Sequence, residues 1–202
     1  MVTLDAPLTS LKYIGDDKEK IFLSRDISKL LDLWNYFPYK YRDTSHVVTV
    51  KELLKAYSQL PIFEQPSATY TVKVVVRSSK KFYTKARKVI VDAVMSDEND
   101  DSLQVSGIWF FQPYVLQKLV PGNTVILYGK LKQNGSQLQF INPEVEVVHP
   151  NKSLVHLGRV TPVYRRVGKL STGYLRRYLF ELTKISSPPA DFIPEEVLRQ
   201  EK

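Results

Sequence analysis

The 202-residue sequence contains no cysteine, which excludes disulfide staples and thiolate metal sites. Its three histidines, His46, His149 and His156, show no metal-ligand spacing. No Gly-x-x-x-x-Gly-Lys-[Ser/Thr] phosphate loop occurs in the chain, so these residues are not expected to hydrolyse ATP by themselves. The N-terminus lacks the charged start and apolar stretch of a secretory signal. No apolar run approaches the length that spans a bilayer, about 18 residues. These absences leave a cytoplasmic protein without a membrane partner as the expectation. The acidic run Asp97-Glu98-Asn99-Asp100-Asp101 lacks the spaced oxygen ligands and turning glycine of a calcium loop, and reads as a solvated turn with no metal.

Hydrophobic residues make up 43% of the chain and charged residues 25%, ordinary values for a globular protein. The net charge of +8 is unevenly spread. Lys73, Arg77, Lys80, Lys81, Lys85, Arg87 and Lys88 fall in one stretch with no acidic residue. A second block holds Arg159, Arg165, Arg166, Lys169, Arg176, Arg177 and Lys184 against Glu181 alone. Two basic blocks converging on one face would suit a phosphate-bearing partner.

Periodicity divides the chain into three zones. Residues 1–60 read as a helical N-terminal segment, with Ile21, Phe22, Ile27, Leu30, Leu31, Leu33 and Trp34 at roughly helical spacing. Ser24 or Asp26 is expected to cap the second helix, and Phe37-Pro38 to close it. Tyr36, Tyr39 and Tyr41 are expected to pack this zone against the next. Gln59–Ser67, with two prolines, reads as a linker.

Residues 68–149 are strand-rich. Strands are expected over Thr69–Val76, Lys88–Met95, Leu103–Phe111, Thr124–Lys132 and Gln137–Val148, with a helical crossover at Pro113–Gly122 and a hairpin turn at Asn134-Gly135. Five strands with a crossover between the third and fourth are the layout of an OB-fold. Another five-stranded barrel or sandwich is the alternative. Residues 150–202 read as a basic helical connector with a helix at Ser171–Lys184. The fold class is therefore mainly β with helices (α+β): a five-stranded OB-fold barrel between two helical segments.

Trp109-Phe110-Phe111-Gln112-Pro113-Tyr114 places four aromatics in six residues. Strand alternation predicts Trp109 and Phe111 in the core and Phe110 outward; the opposite phase would turn Phe110 inward. Outward rings on a basic β-domain stack on nucleic-acid bases, which makes Phe110, Tyr114, Phe111 and Trp109 the candidate stackers. Lys80-Lys81-Phe82-Tyr83-Thr84-Lys85-Ala86-Arg87-Lys88 interleaves cations with rings. Lys80, Lys81, Lys85, Arg87 and Lys88 are candidate phosphate contacts, and Phe82 and Tyr83 possible further stackers. Lys130 and Lys132 share one strand parity and are expected to line the same groove. Arg165 and Arg166 are candidates for guiding a duplex arm. Such contacts read shape and backbone, so base-sequence specificity is not expected.

Several landmarks in order resemble the N-terminal wedge region of RecG-type branched-DNA helicases. They are Leu8-Thr-Ser-Leu-Lys-Tyr-Ile-Gly15, Leu30–Asp43, Trp109–Tyr114, Pro121-Gly122, Tyr128-Gly129-Lys130, Asn142-Pro143-Glu144 and Thr161-Pro162-Val163-Tyr164. The resemblance implies an OB-fold wedge that binds branched DNA (replication forks, Holliday junctions) and assists strand separation in repair and recombination. It implies helicase motor domains as partners, in cis or in trans, with ATP and Mg belonging only to those motors; no cofactor is expected in this chain, nor any oligomer. Carried over by position, Phe110 and Tyr114 are the favoured stackers, while Phe111 stands where the family usually has Asn. Asp16-Asp17 follow Ile14-Gly15 where backbone amides would meet phosphate, and repel it. The chain ends at Lys202, where the family's helicase domains would begin. A generic single-strand-binding OB protein and a protein-interaction module are the alternatives.

Overall fold

The computed structural model describes residues 2–59, 68–135 and 137–189. The linker expected over Gln59–Ser67 lies almost wholly outside them, as does the chain beyond residue 189. In order, the elements are α1 (Asp16–Leu23), α2 (Leu30–Trp34), β1 (Lys40–Asp43), β2 (Val47–Val48), α3 (Val50–Gln59), β3 (Thr69–Tyr83), β4 (Val89–Ser96), β5 (Gln104–Phe110), β6 (Thr124–Asn134), β7 (Gln137–Val147), β8 (Val160–Val163) and α4 (Thr172–Ile185). Short 3-10 helices cover Leu8–Ser10 and Pro113–Gln117. None of the described helices is long and apolar enough to cross a membrane.

Contacts divide the chain into two compact units: Arg42–Thr161, and Met1–Tyr41 together with Pro162–Lys202. In the first, the sheet order β2-β3-β4-β5-β7-β6 is closed by an additional β3–β6 pairing. Leaving out β2, the five longer strands form a barrel in which β5 and β7 run parallel and the neighbouring ladders antiparallel. This is the OB-fold connectivity. It follows from alternation: Val72, Val74 and Val76 of β3, Val91, Ala93 and Met95 of β4, and Val125 and Leu127 of β6 all turn inward and are buried. Each fully buried Val, Leu or Met among them contributes about 1.5–3 kcal/mol.

β3 runs farther than its alternating run suggests. A register shift between Val76 and Ser78 lets its first half pair with β6 and its second half with β4, out to Tyr83. The polar, basic segment Ser78–Lys88 is thus a hairpin made mostly of ladder, with only Thr84–Lys88 turning.

α3 packs Val50, Leu53 and Tyr57 into the barrel core. Its start is over-determined. Thr49 and Glu52 form a reciprocal capping box, with Thr49 N–H donating to Glu52 at 2.8 Å and Glu52 N–H to the Thr49 hydroxyl at 3.2 Å. Asp97 also accepts the Val50 N–H at 2.8 Å. The acidic turn is thus more than solvated charge. Asp97 is buried, Glu98 pairs with Lys73 at 2.7 Å, and Asp101 pairs with Arg77.

Two residues before Trp109, on the same face of β5, stands Gly107, where a Cβ would come within 2.6 Å of the indole ring. Gly107→Ala is expected to overpack the core and cost about 1–3 kcal/mol. A urea titration followed by circular dichroism measures it.

The second unit has its own core, built from both ends of the chain. Leu8, Leu11, Ile14, Phe22, Leu30 and Leu33 pack with Tyr164, Val167, Leu175, Tyr178 and Leu182. Segments that periodicity assigns to separate zones share one interior, because burial pairs residues without regard to sequence distance. The start of α2 is set by Asp32, which accepts the Ser28 and Lys29 amides at 2.9 Å each, rather than by Ser24 or Asp26. Those two bonds hold the Asp32 carboxyl below its ordinary value. Tyr39 and Tyr41 are exposed rather than packed, and Tyr36 stacks within its own unit, on Tyr164, with ring centroids 6.2 Å apart.

Candidate nucleic-acid interface

The aromatic run obeys strand alternation only as far as the strand lasts. Trp109, inside β5, points inward with no exposed surface, and its indole N–H donates to the Pro143 carbonyl at 2.8 Å. Trp109 is therefore not a base stacker: a ring without accessible surface offers no face. Phe110 lies half-buried on the outer side. Phe111 follows the last strand residue and adopts φ 60°, a left-handed conformation uncommon for a bulky residue. That turn ends the alternation and swings the side chain out, so Phe111 is 63% exposed instead of core-facing.

Asn142 lays out the next residues. Its side-chain oxygen accepts the Phe110 N–H at 2.7 Å and the Gln112 amide at 3.4 Å. Gln112 in turn accepts the Tyr114 hydroxyl at 2.8 Å, which orients a ring that is 61% exposed. Pro113 opens the 3-10 helix that carries Tyr114, its fixed φ and missing N–H fitting a first helical position. Behind this segment, Lys118 donates to the Val145 carbonyl at 2.7 Å, and burial lowers its ammonium below lysine's ordinary value.

The basic turn meets these rings. Phe111 N–H donates to the Val89 carbonyl at 3.0 Å, at the first residue of β4. The Lys88 ammonium lies 5.4 Å from the centre of the Phe111 ring, and that of Lys81 lies 5.6 Å from the Tyr83 ring. Phe82 and Tyr83 are 40% and 60% exposed. Lys85 and Arg87 sit at the exposed tip, where Arg87 takes φ 56° and donates its N–H to the Thr84 carbonyl at 2.8 Å. Exposed cations beside exposed, oriented rings are suited to a polyanion with stackable bases.

Cross-strand register places the other candidates on the barrel's outer side. Phe82 faces Ile90, which faces Phe110. The next row runs Lys80, Asp92, Ile108, Ile141 and Lys130, and Lys132 faces Gln139 one step along. Lys80, Lys130 and Lys132 thus all lie on the barrel's outer side, Lys80 on the same strand as Phe82 and Lys130 and Lys132 two ladders from Phe110. In OB-folds this second-to-third-strand face and the loops flanking it take oligonucleotides. Lys73 and Arg77, counted in the same basic stretch, are neutralised by Glu98 and Asp101. Arg165 and Arg166 are exposed but belong to the other unit.

Two residues that sequence reasoning passed over matter here. Asn142 was legible only as part of a landmark, since its work is a side-chain bond across 32 positions. Asp92, an acid in the middle of a basic face, carried a signal in its charge alone. Elsewhere in this unit Arg42 binds Glu144 bidentately, with the second bond at 2.8 Å, and its guanidinium lies 4.7 Å from the Tyr128 ring. Those bonds hold Arg42 above its ordinary value. A Cβ on Gly129 would meet Pro143 at 3.1 Å. The scattered landmarks Arg42, Tyr128-Gly129 and Asn142-Pro143-Glu144 are thus one contact cluster. Among the described residues, no three His, Asp or Glu side chains converge to hold a metal.

A family model described as the RecG wedge domain matches residues 7–185. The ATP-dependent DNA helicase RecG of Bacillus subtilis (strain 168) is 23% identical over 198 residues, covering 96% of this chain and 26% of that protein. The solved structure of RecG bound to a three-way DNA junction superposes with a TM-score of 0.71 at 24% identity, over 100% of this chain and 26% of that one. The chain thus spans about a quarter of the length of these relatives.

Proposed function

The chain belongs to the RecG wedge domain family, and on that premise we propose that it is the DNA-binding wedge of a RecG-like helicase. It engages branched DNA, at replication forks and Holliday junctions, and assists strand separation in repair and recombination. The observation that carries this reading is a pair of exposed rings at the end of β5, Phe111 beside Lys88 of the basic turn and Tyr114 oriented by Gln112. Where two strands part, a base loses its stacking partner. A ring that replaces it contributes about 1–3 kcal/mol, close to the few kcal/mol that parting a pair costs. Lys81, Lys85, Arg87 and Lys88 neutralise phosphates of the same strand.

The wedge itself performs no chemistry. ATP and Mg serve motor domains supplied in cis or in trans, and the work is done in the cytoplasm by a monomer. Fluorescence anisotropy with a labelled three-way fork, the matched duplex and the single strand tests the reading. Fork binding tighter than either control supports it. Equal or better single-strand binding favours a generic OB protein, and no binding at low salt points to a protein-docking module.

Replacing Lys81, Lys85, Arg87 and Lys88 by glutamine is expected to flatten the salt dependence. With about 0.7–0.9 counterions released per phosphate contact, the slope of log K against log salt should fall by roughly 3. An unchanged slope would place the phosphates elsewhere.

A further inference from the structure

Asp92 is out of place on a surface that otherwise attracts phosphate. It sits in the middle of β4 on the outer side, between Lys80 of β3 and Ile108 of β5. Among the described residues, neither the Lys80 nor the Asp92 side chain makes a hydrogen bond or ion pair. Lys80, Phe82 and Asp92 line an open depression of about 500 Å³. The row beside them, Phe82–Ile90–Phe110, gives it an apolar flank. A carboxylate facing DNA is repelled by the backbone, so it gains only where it meets N–H donors.

We propose that this depression holds one unpaired guanine, stacked on Phe82 and read by Asp92. The inference rests on the nucleic-acid reading above and adds a base preference to it. An ionised carboxylate is acceptor-only and offers two oxygens. Among the bases, only the Watson–Crick edge of guanine presents two adjacent N–H donors, N1–H and the N2 amino group, that match them. Adenine sets its N1 lone pair beside its amino group, and thymine flanks its single N–H with two carbonyls, so both bring an acceptor against the carboxylate. Cytosine offers its amino group alone. Lys80, across the strand from Asp92, is placed for the phosphate of the same nucleotide, and Phe82, 40% exposed, supplies the stacking face. The surface as a whole stays blind to sequence; one position does not.

The test uses the 202-residue chain and oligothymidylate strands carrying one central guanine, inosine or adenine. Inosine lacks only the N2 amino group. The wild type should bind the guanine strand about tenfold more tightly than the other two. Asp92→Asn should erase that preference, binding the inosine and adenine strands more tightly because a repelling charge is gone and the guanine strand no more tightly than those two. A wild type that treats the three strands alike, or an Asp92→Asn variant that keeps the preference, overturns the inference. A parallel NMR titration with dGMP and dAMP separates this proposal from the fork reading. Guanine-selective shifts at Lys80, Phe82 and Asp92 uphold the pocket even if forks are not preferred. Fork preference without such selectivity overturns the pocket and leaves the fork reading standing.

Discussion

Replacing Trp109 with alanine is expected to cost about 3–5 kcal/mol of folding stability, the range for truncating a large buried ring. Trp109 is among the largest fully buried side chains and packs over Gly107 within the barrel core. Truncation opens a cavity that β5 cannot fill, because its ladders to β4 and β7 hold it on both sides. It also removes the donor of the Pro143 carbonyl, which is the link between the aromatic segment and Asn142-Pro143. Trp109→Phe should recover most of the packing and leave the carbonyl unpaired, a loss of about 1–3 kcal/mol. Urea midpoints followed by circular dichroism rank the three proteins. DNA binding measured on Trp109→Ala reports unfolding rather than contact.

Two residues along, the same kind of truncation is expected to do the reverse. Phe111→Ala and Tyr114→Ala should leave the unfolding midpoint within about 0.5 kcal/mol of wild type, as exposed positions do. Each should weaken fork binding by about tenfold, and the pair by up to about a hundredfold, given about 1–3 kcal/mol per stacked base. Duplex affinity should hardly change, since paired bases offer these rings no free face. Anisotropy on fork and duplex with both single variants and the double variant reads the effect. A double variant that binds forks as wild type does would remove both rings from the interface.

That contrast shows where the sequence was legible. The five strands and the crossover followed from alternation and from turn residues, which are local signals. The fate of Phe111 did not, because one left-handed residue at the end of β5 decides it. The length of β3 was hidden for a similar reason. Its outer half is polar, and only pairing with β4 shows it to be strand. Charge was legible as a sum and misleading as a surface: Lys73 and Arg77 look identical to Lys81 and Lys85 until Glu98 and Asp101 fold back on them. Asn142, the organiser of the exposed rings, acts through bonds that no spacing rule reports. The resemblance supplied the landmarks, and for Arg42, Tyr128-Gly129 and Asn142-Pro143-Glu144 the physical cause is the contact cluster that joins them.

The most direct test is photocrosslinking of the 202-residue chain to a fork with iododeoxyuridine at the branch nucleotide, followed by mass spectrometry of the adducts. A ring stacked on the branch base forms a zero-length adduct. The predicted result is adducts at Phe111 or Tyr114, lost when the halogenated base is moved into the duplex arm. Adducts confined to Tyr13 or Tyr174, exposed tyrosines of the other unit, or identical adducts from branch and arm, would contradict a wedge built at the end of β5.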